Sequence, residues 1–324
     1  MNSFLIIQTA SIGDVILATG VAEKIHSFFP KADVDFVVRK GCESVLENHP
    51  FVRNVLIYDK SQFKALHLRT LTLKIRRQKY DCVVNIHRYG SSAIMTALSS
   101  AKYKTGFNKS PLWFLYDKVV KHSIGDGTHE VVRNAKLIED ISNNGVVFPK
   151  LYPSDSDFRT VSKYKERDYV CIAPASKWFT KQFTKEKWIE LIKRIHPSDY
   201  IYLIGGIEDV GFCEDIHLSA GRNHISNLAG NLTFLQTAAL MKDARMNYVN
   251  DSAPLHIASA MNAPVTAIFI STVPEFGFYP LSDITSIVQT HQKLECRPCG
   301  LHGHNKCPKG HFQCAETIKV ESVL

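Results

Sequence analysis

Two short stretches put ionisable side chains where a helix opens directly off a strand. The first is Asn250-Asp251-Ser252-Ala253-Pro254-Leu255-His256. Met246–Val249 before it reads as a strand, and the apolar residues after it recur at helical spacing. Asp251 or Ser252 can cap that helix, and Pro254 suits its first turn. The free amides and positive dipole end of such a helix attract an anion. Ser252, Ala253 and His256, about one turn in, border that mouth. The second stretch is Thr9-Ala10-Ser11-Ile12-Gly13-Asp14, after the apolar run Phe4–Gln8. Asp14 falls in the first helical turn, carried by a small turn that includes Ser11 and Gly13. It either answers the helix dipole or, aimed into a cleft, serves as a general base. The chain holds no GxGxxG and no GxxxxGK[ST], so neither nucleotide fingerprint applies.

Two further strand ends carry suitable groups. After the strand expected at Tyr169–Ala173 comes Pro174-Ala175-Ser176-Lys177-Trp178-Phe179-Thr180-Lys181. Its small residues, Ser176 among them, and its two lysines can hold phosphate oxygens, or simply form a basic surface loop. After Tyr200–Ile204 comes Gly205-Gly206-Ile207-Glu208. There the glycines permit close backbone approach, and Glu208 can accept from a ribose hydroxyl.

The elements that position these residues alternate β and α in two series. In the first half, strands are expected at Phe4–Gln8, Val34–Val38, Val55–Tyr58 and Cys82–Ile86. Helices are expected around Val15–Phe28, Cys42–Glu47, Phe63–Arg77, Ser91–Ser99 and from near Thr128 to Ile141. Lys150–Asp157 breaks the rhythm with proline and small polar residues and reads as a linker. The second half restarts with strands Tyr169–Ala173, Tyr200–Ile204, Ile225–Leu228, Met246–Asn250 and Val265–Ile270, with helices between them. Apolar strands alternating with helices imply parallel sheets covered on both faces. The expected division is residues 1–155 and 156–324, the second ending in a cysteine-rich tail from about 291. Two such domains would bind ligands in a cleft at their strand carboxyl ends.

Composition sets limits. With 45% hydrophobic and 22% charged residues the chain is that of a globular protein. No apolar run approaches the roughly 18 residues needed to span a bilayer. The N-terminal apolar run is short, lacks a basic leader, and reads as a strand rather than a signal peptide. The net charge of +8 resides in Met1–Lys150, and Lys60–Lys104 holds ten Lys and Arg against one acid, Asp81. Such a run is either a solvated helix face or suits an anionic partner. No nucleic-acid motif accompanies it, so nucleic acid is not expected. Of the eight cysteines, Cys296, Cys299, Cys307 and Cys314 cluster near the end. Their spacing can build a Cys₄ structural zinc site, or they pack a turn-rich tail. Four ligands leave no open position for catalysis.

Taken in order, these pieces resemble the heptosyltransferase family, the ninth family of glycosyltransferases, along nearly the whole chain. Ile12–Thr19 is similar to its N-terminal signature. Asn85-Ile86-His87-Arg88, Thr105-Gly106-Phe107 and His129-Glu130-Val131-Val132-Arg133-Asn134 are similar to its middle. Lys181, Gly205-Gly206 with Glu208, and Asp251–His256 are similar to its donor half, as is the cysteine tail. Gly20 departs from the pattern, where proline is usual. The resemblance implies a GT-B architecture, two Rossmann-like doubly wound parallel-sheet domains facing across a cleft. It implies inverting, metal-independent transfer of heptose from ADP-L-glycero-D-manno-heptose to the inner core of lipopolysaccharide. The enzyme would be cytoplasmic, peripheral on the cytoplasmic face of the inner membrane. Asp14 would be the base and Lys181 would neutralise the leaving diphosphate. Ser176, Ser252, Ala253 and His256 would lie along the phosphates, Asp251 on the sugar and Glu208 on the ribose. The alternatives are a transferase of another nucleotide sugar and a non-catalytic nucleotide-sugar binder. Keeping both Asp14 and Lys181 favours the enzyme, because a binder has no use for a base.

Overall fold

The computed structural model describes residues 1–61 and 63–324, and the chain divides into two compact units. The N-terminal unit comprises residues 1–124 and 128–152; the C-terminal unit comprises 125–127 and 153–324. Among the described residues no helix is long and apolar enough to cross a membrane.

The N-terminal unit is built on six parallel strands, β1 (Ser3–Ile7), β2 (Asp33–Arg39), β3 (Asn54–Tyr58), β4 (Cys82–Asn85), β5 (Tyr103–Phe107) and β6 (Lys118–Val120). They lie in the order β3-β2-β1-β4-β5-β6. Its helices are α1 (Ile12–Phe28), α2 (Lys64–Gln78), α3 (Gly90–Ala97) and α4 (Glu130–Ala135). From β1 to β3 the chain steps one way across the sheet, and from β3 through β6 it steps the other way. Right-handed crossovers therefore put α1 on one face, and α2, α3 and the Trp113–Leu115 turn on the opposite face. Consistent with this, α2 packs beside α3, and α1 beside α4. Leu71 and Ile75 of α2 join Leu5, Ile7, Val37 and Tyr58 in the core. On the other face Gly20 of α1 admits the returning chain, since a Cβ there would sit 2.6 Å from the Val147 carbonyl oxygen.

The C-terminal unit repeats the plan. It opens with α5 (Asp155–Val161) and continues as β7 (Tyr169–Ala173), α6 (Lys185–Arg194), β8 (Tyr200–Leu203), α7 (Val210–Ala220) and β9 (Ile225–Asn227). Then come α8 (Phe234–Lys242), β10 (Met246–Asn250), α9 (Ala253–Met261), β11 (Val265–Phe269), β12 (Thr285–Gln289) and a last turn of helix, α10 (Gln313–Glu316). The sheet order is β12-β11-β10-β7-β8-β9, all parallel. The chain's end packs inward, with Phe312, Ala315, Ile318 and Val323 joining Trp188, Leu191 and Ile268 in one core.

The α/β reading with two doubly wound parallel sheets holds, and several elements are corrected. β5, β6 and β12 were not expected as strands. Cys42–Glu47 yields only a 3₁₀ turn, Glu43–Leu46. The expected linker breaks off at Ser154, whose hydroxyl accepts from the Asp157 amide as the Asp157 carboxylate accepts from Ser154, a capping box that starts α5.

Candidate functional site

Asp14 and Arg88 in one unit, and Lys181 and Asp251 in the other, follow the first and fourth strands, where the strand order reverses. That is the point at which open α/β sheets leave room for ligands.

In the N-terminal unit α1 begins immediately after β1. Ser11 is its N-cap, accepting weakly from the Asp14 amide at 3.5 Å. The Asp14 carboxylate accepts in return from the Ser11 amide at 3.0 Å and hydroxyl at 2.5 Å. Desolvation pushes the Asp14 carboxyl above its usual range, and the charge of Glu130 adds to that. The Ser11 hydrogen bonds and Arg88 pull the other way without cancelling it. A half-buried acid with a raised proton affinity, close to a strand end, is placed as a general base should be.

Beside it, the segment just after β4 carries His87 and Arg88. The His87 ring lies 2.8 Å from the Thr9 hydroxyl, and burial, then the charges of Lys60 and Arg88, lower its pKa to about 3. His87 is therefore neutral. Arg88 stands 3.7 Å from the buried Glu130 and bonds the His122 ring. Arg133 holds the other Glu130 oxygen at 2.7 Å. Desolvation opposes ionisation of Glu130, yet His122, Arg133 and Arg88 outweigh it and lower its pKa to about 2. Glu130 is thus a fixed anion that fastens Arg88 at the strand end. The sequence reading singled out the segments of Arg88 and Glu130 but gave neither residue a role, and it passed over His122. Their separation along the chain hides a network that only the fold assembles.

In the C-terminal unit the Lys181 ammonium lies 2.7 Å from an oxygen of Asp251, both side chains nearly buried. The Thr272 hydroxyl donates to the same oxygen at 2.6 Å. Asn250, at the end of β10, holds the loop after β7: it accepts from the Phe183 amide at 3.0 Å and donates to the Pro174 carbonyl at 2.9 Å. Thr180 is tied to the cysteine tail, donating its amide to the His304 carbonyl and accepting the His304 amide. Lys181 is thereby held from two sides. Sequence reasoning found Lys181 and Asp251 but not their pairing, nor Thr272.

Ser252 is the N-cap of α9, but its hydroxyl makes no capping bond; it lies 3.4 Å from the Asn250 carbonyl instead. Asp251, offered as an alternative cap, turns to Lys181 and Thr272. The mouth of α9 thus lacks a side-chain cap and can receive an anion, with Ala253 in its first turn. His256 is buried on α9, edge-on to the Phe278 ring. Ser176 has its amide directed at the Gln182 side chain, 3.2 Å away. Glu208 is exposed in the turn after β8. A Cβ on Gly206 would come within 2.7 Å of its carboxylate, and one on Gly205 within 2.8 Å of Asp209 Cβ.

Cys296, Cys299, Cys307 and Cys314 line one cavity of about 70 Å³ with His311. Burial raises the Cys314 thiol to about 11 and also raises Cys299. For Cys307, burial is outweighed by hydrogen bonds from the backbone of Phe312, Lys309, Gly310 and His311, so its thiolate is favoured. Among the described residues no three His, Cys, Asp or Glu side chains stand in a metal-binding arrangement.

Comparison with known proteins gives these arrangements a context. A family model described as "Glycosyltransferase family 9 (heptosyltransferase)" matches residues 68–305. Lipopolysaccharide heptosyltransferase 3 of Escherichia coli is 25% identical, covering 80% of this chain and 81% of its own. Lipopolysaccharide heptosyltransferase 1 of Campylobacter coli is 24% identical over 98% of this chain and 96% of its own. In fold, the chain is similar to E. coli ADP-heptose lipopolysaccharide heptosyltransferase II, with a TM-score of 0.78 and 20% identity over 92% and 96% of the two chains.

Proposed function

The chain belongs to glycosyltransferase family 9; it is a glycosyltransferase, and we propose that it moves heptose from ADP-L-glycero-D-manno-heptose to the lipid-A-linked inner core of lipopolysaccharide. The names of its relatives support an ADP-heptose donor and a lipopolysaccharide acceptor. Asp14 carries the reading: a desolvated carboxylate in the first turn of a strand-end helix, in a family that must activate a hydroxyl.

Asp14 takes the proton of the acceptor hydroxyl as its oxygen bonds the anomeric carbon. The bond from that carbon to the diphosphate oxygen breaks, and ADP leaves with the electron pair. One displacement from the far side inverts the centre. Lys181 exchanges Asp251 for the departing phosphate, and Asp251 then accepts from a sugar hydroxyl. The mouth of α9 with Ser252 and Ala253, together with His256 and Ser176, holds the remaining phosphate oxygens. Glu208 takes the ribose. Lys181 and the helix mouth supply the charge that a divalent ion would otherwise bring, so the transfer is metal-independent. Drawn together, the four thiols that line the tail cavity would supply the ligands of a structural zinc beside Thr180. The protein acts as a peripheral enzyme on the cytoplasmic face of the inner membrane.

The test is thermal scanning against nucleotides and nucleotide sugars, followed by transfer assays with a lipid-A-linked acceptor. Selective stabilisation by ADP and ADP-heptose, with transfer, is the expected result. Stabilisation by UDP or GDP species alone would discard the heptose donor.

A further inference from the structure

α2 exposes leucines on the side away from its core face, where a globular protein usually has polar residues. Leu71 and Ile75 face the core. Leu66 and Leu73, with Thr70 between them, line the opposite side in solvent, and Arg77 ends that line with a cation. Leu66 is 58% exposed, and Phe63, just ahead of the helix, is 76% exposed. Arg69 and Arg76 border this stripe on one flank and Lys74 on the other, by the 3.6-residue helical repeat. From Ser61 to Tyr80 the sequence has six Lys and Arg and no Asp or Glu. The same face of the sheet carries the turn Trp113-Phe114-Leu115, in which all three side chains are exposed, Phe114 to 63%. From Lys60 to Lys121 there are thirteen Lys and Arg against two acids, Asp81 and Asp117.

We propose that this face of the N-terminal unit, the outer side of α2 with the Trp113–Leu115 turn, docks on an anionic phospholipid bilayer. A helix with apolar side chains along one line and cations beside it lies in the plane of a membrane interface, its apolar line at the headgroup–acyl boundary and its cations among phosphates. Tryptophan suits that boundary, with an apolar ring and a polar N–H. Charge selects the occupant: a protein partner would need a matching acidic surface, whereas a bilayer rich in anionic lipid supplies phosphates everywhere. The inference rests on the reading of the acceptor as lipid-linked. It names the surface that brings the enzyme to that lipid, apart from Asp14 and its neighbours.

The test uses the full chain and vesicles without acceptor or donor, so it can fail independently of the heptosyltransferase reading. The wild-type protein should float with phosphatidylethanolamine–phosphatidylglycerol vesicles and not with neutral phosphatidylcholine vesicles. Each interfacial cation contributes about fivefold in partitioning, so K74Q/R76Q/R77Q should bind about 100-fold more weakly. L66S/F114S should also release the protein while leaving its circular dichroism and melting temperature unchanged. Three results would overturn the proposal: no binding to anionic vesicles, a charge variant that binds as wild type does, or no vesicle binding together with self-association that L66S/F114S abolishes. The last would make the face a contact between copies.

Discussion

The two strand-end clusters use the same positions for opposite purposes. Both sheets have the order third-second-first-fourth-fifth-sixth, and both put charged groups after the first and fourth strands. In the N-terminal unit the acid follows the first strand and the cation, Arg88, follows the fourth. Asp14 is left desolvated while Arg88 is engaged by Glu130. In the C-terminal unit the cation follows the first strand and the acid follows the fourth, and the two are joined at 2.7 Å. An acid kept short of compensation has proton affinity to use. An acid and cation that satisfy each other are poised to exchange partners when a ligand arrives. One plan thus yields a base in one unit and an anion receiver in the other.

The sharpest way to break that contrast is Asp14→Asn. Transfer should fall by about 10³-fold with ADP affinity nearly unchanged, and near-normal turnover would remove the base from Asp14. Lys181→Ala should cost about 10²-fold in turnover, because the leaving diphosphate loses its partner. It should also weaken ADP binding in calorimetry, which Asp14→Asn should not. Loss of turnover with unaltered ADP affinity would put Lys181 outside the phosphate site.

Metal analysis addresses the C-terminal unit alone. About one zinc per chain is expected, and stripping it should lower the melting temperature by several degrees while leaving transfer detectable. A folded preparation without metal and with an unchanged melting point would reduce the four cysteines to packing.

Acid should act first on the N-terminal unit. Unfolded histidine titrates near 6.5, whereas burial holds His87 near 3 and His49 near 4. Between those values the unfolded chain binds more protons. Stability present above about pH 6.5 is therefore lost as pH falls toward 4 and 3. Glu130 adds to the loss below its ordinary 4.5 as pH approaches 2. Hydrogen exchange should show residues 1–124 loosening before residues 153–324, and the reverse order would contradict these burial effects.

The mildest perturbation is Ser11→Ala. It removes the hydroxyl hydrogen bond that favours ionised Asp14 and leaves that from the Ser11 amide, so the Asp14 pKa should rise further and the acid limb of kcat/KM should move to higher pH. Helix stability should drop by about 1 kcal/mol. An unmoved limb would mean that another group titrates there.

Legibility in the sequence followed chemistry that is local. Fully buried strands such as Phe4–Ile7 and Tyr169–Ala173 are continuous apolar runs, and most helices between them begin with caps that can be read directly. β5 escaped notice because Lys104 and Gly106 interrupt its apolar pattern, β6 because it has only three residues, and β12 because it is an edge strand with most of its residues exposed. The capping box Ser154–Asp157 was present within the presumed linker but was outweighed there by proline and small polar residues. Asp14, Lys181 and Asp251 could be found from strand–helix junctions. The bonds that define their roles could not, since Lys181 meets Asp251 seventy residues on. Arg88 likewise meets Glu130 only through the closure of the sheet.

The paired glycines after β8 bear on how selection would act on this turn. A side chain at Gly205 would strike Asp209 Cβ, an atom the turn cannot move aside, so that glycine would persist in any descendant that kept the turn, whatever it bound. A side chain at Gly206 would meet the far end of Glu208, which can swing away. Drift is therefore open at Gly206 and closed at Gly205. Invariance at the second glycine would record the demands of a ligand, while invariance at the first would record only the demands of the chain.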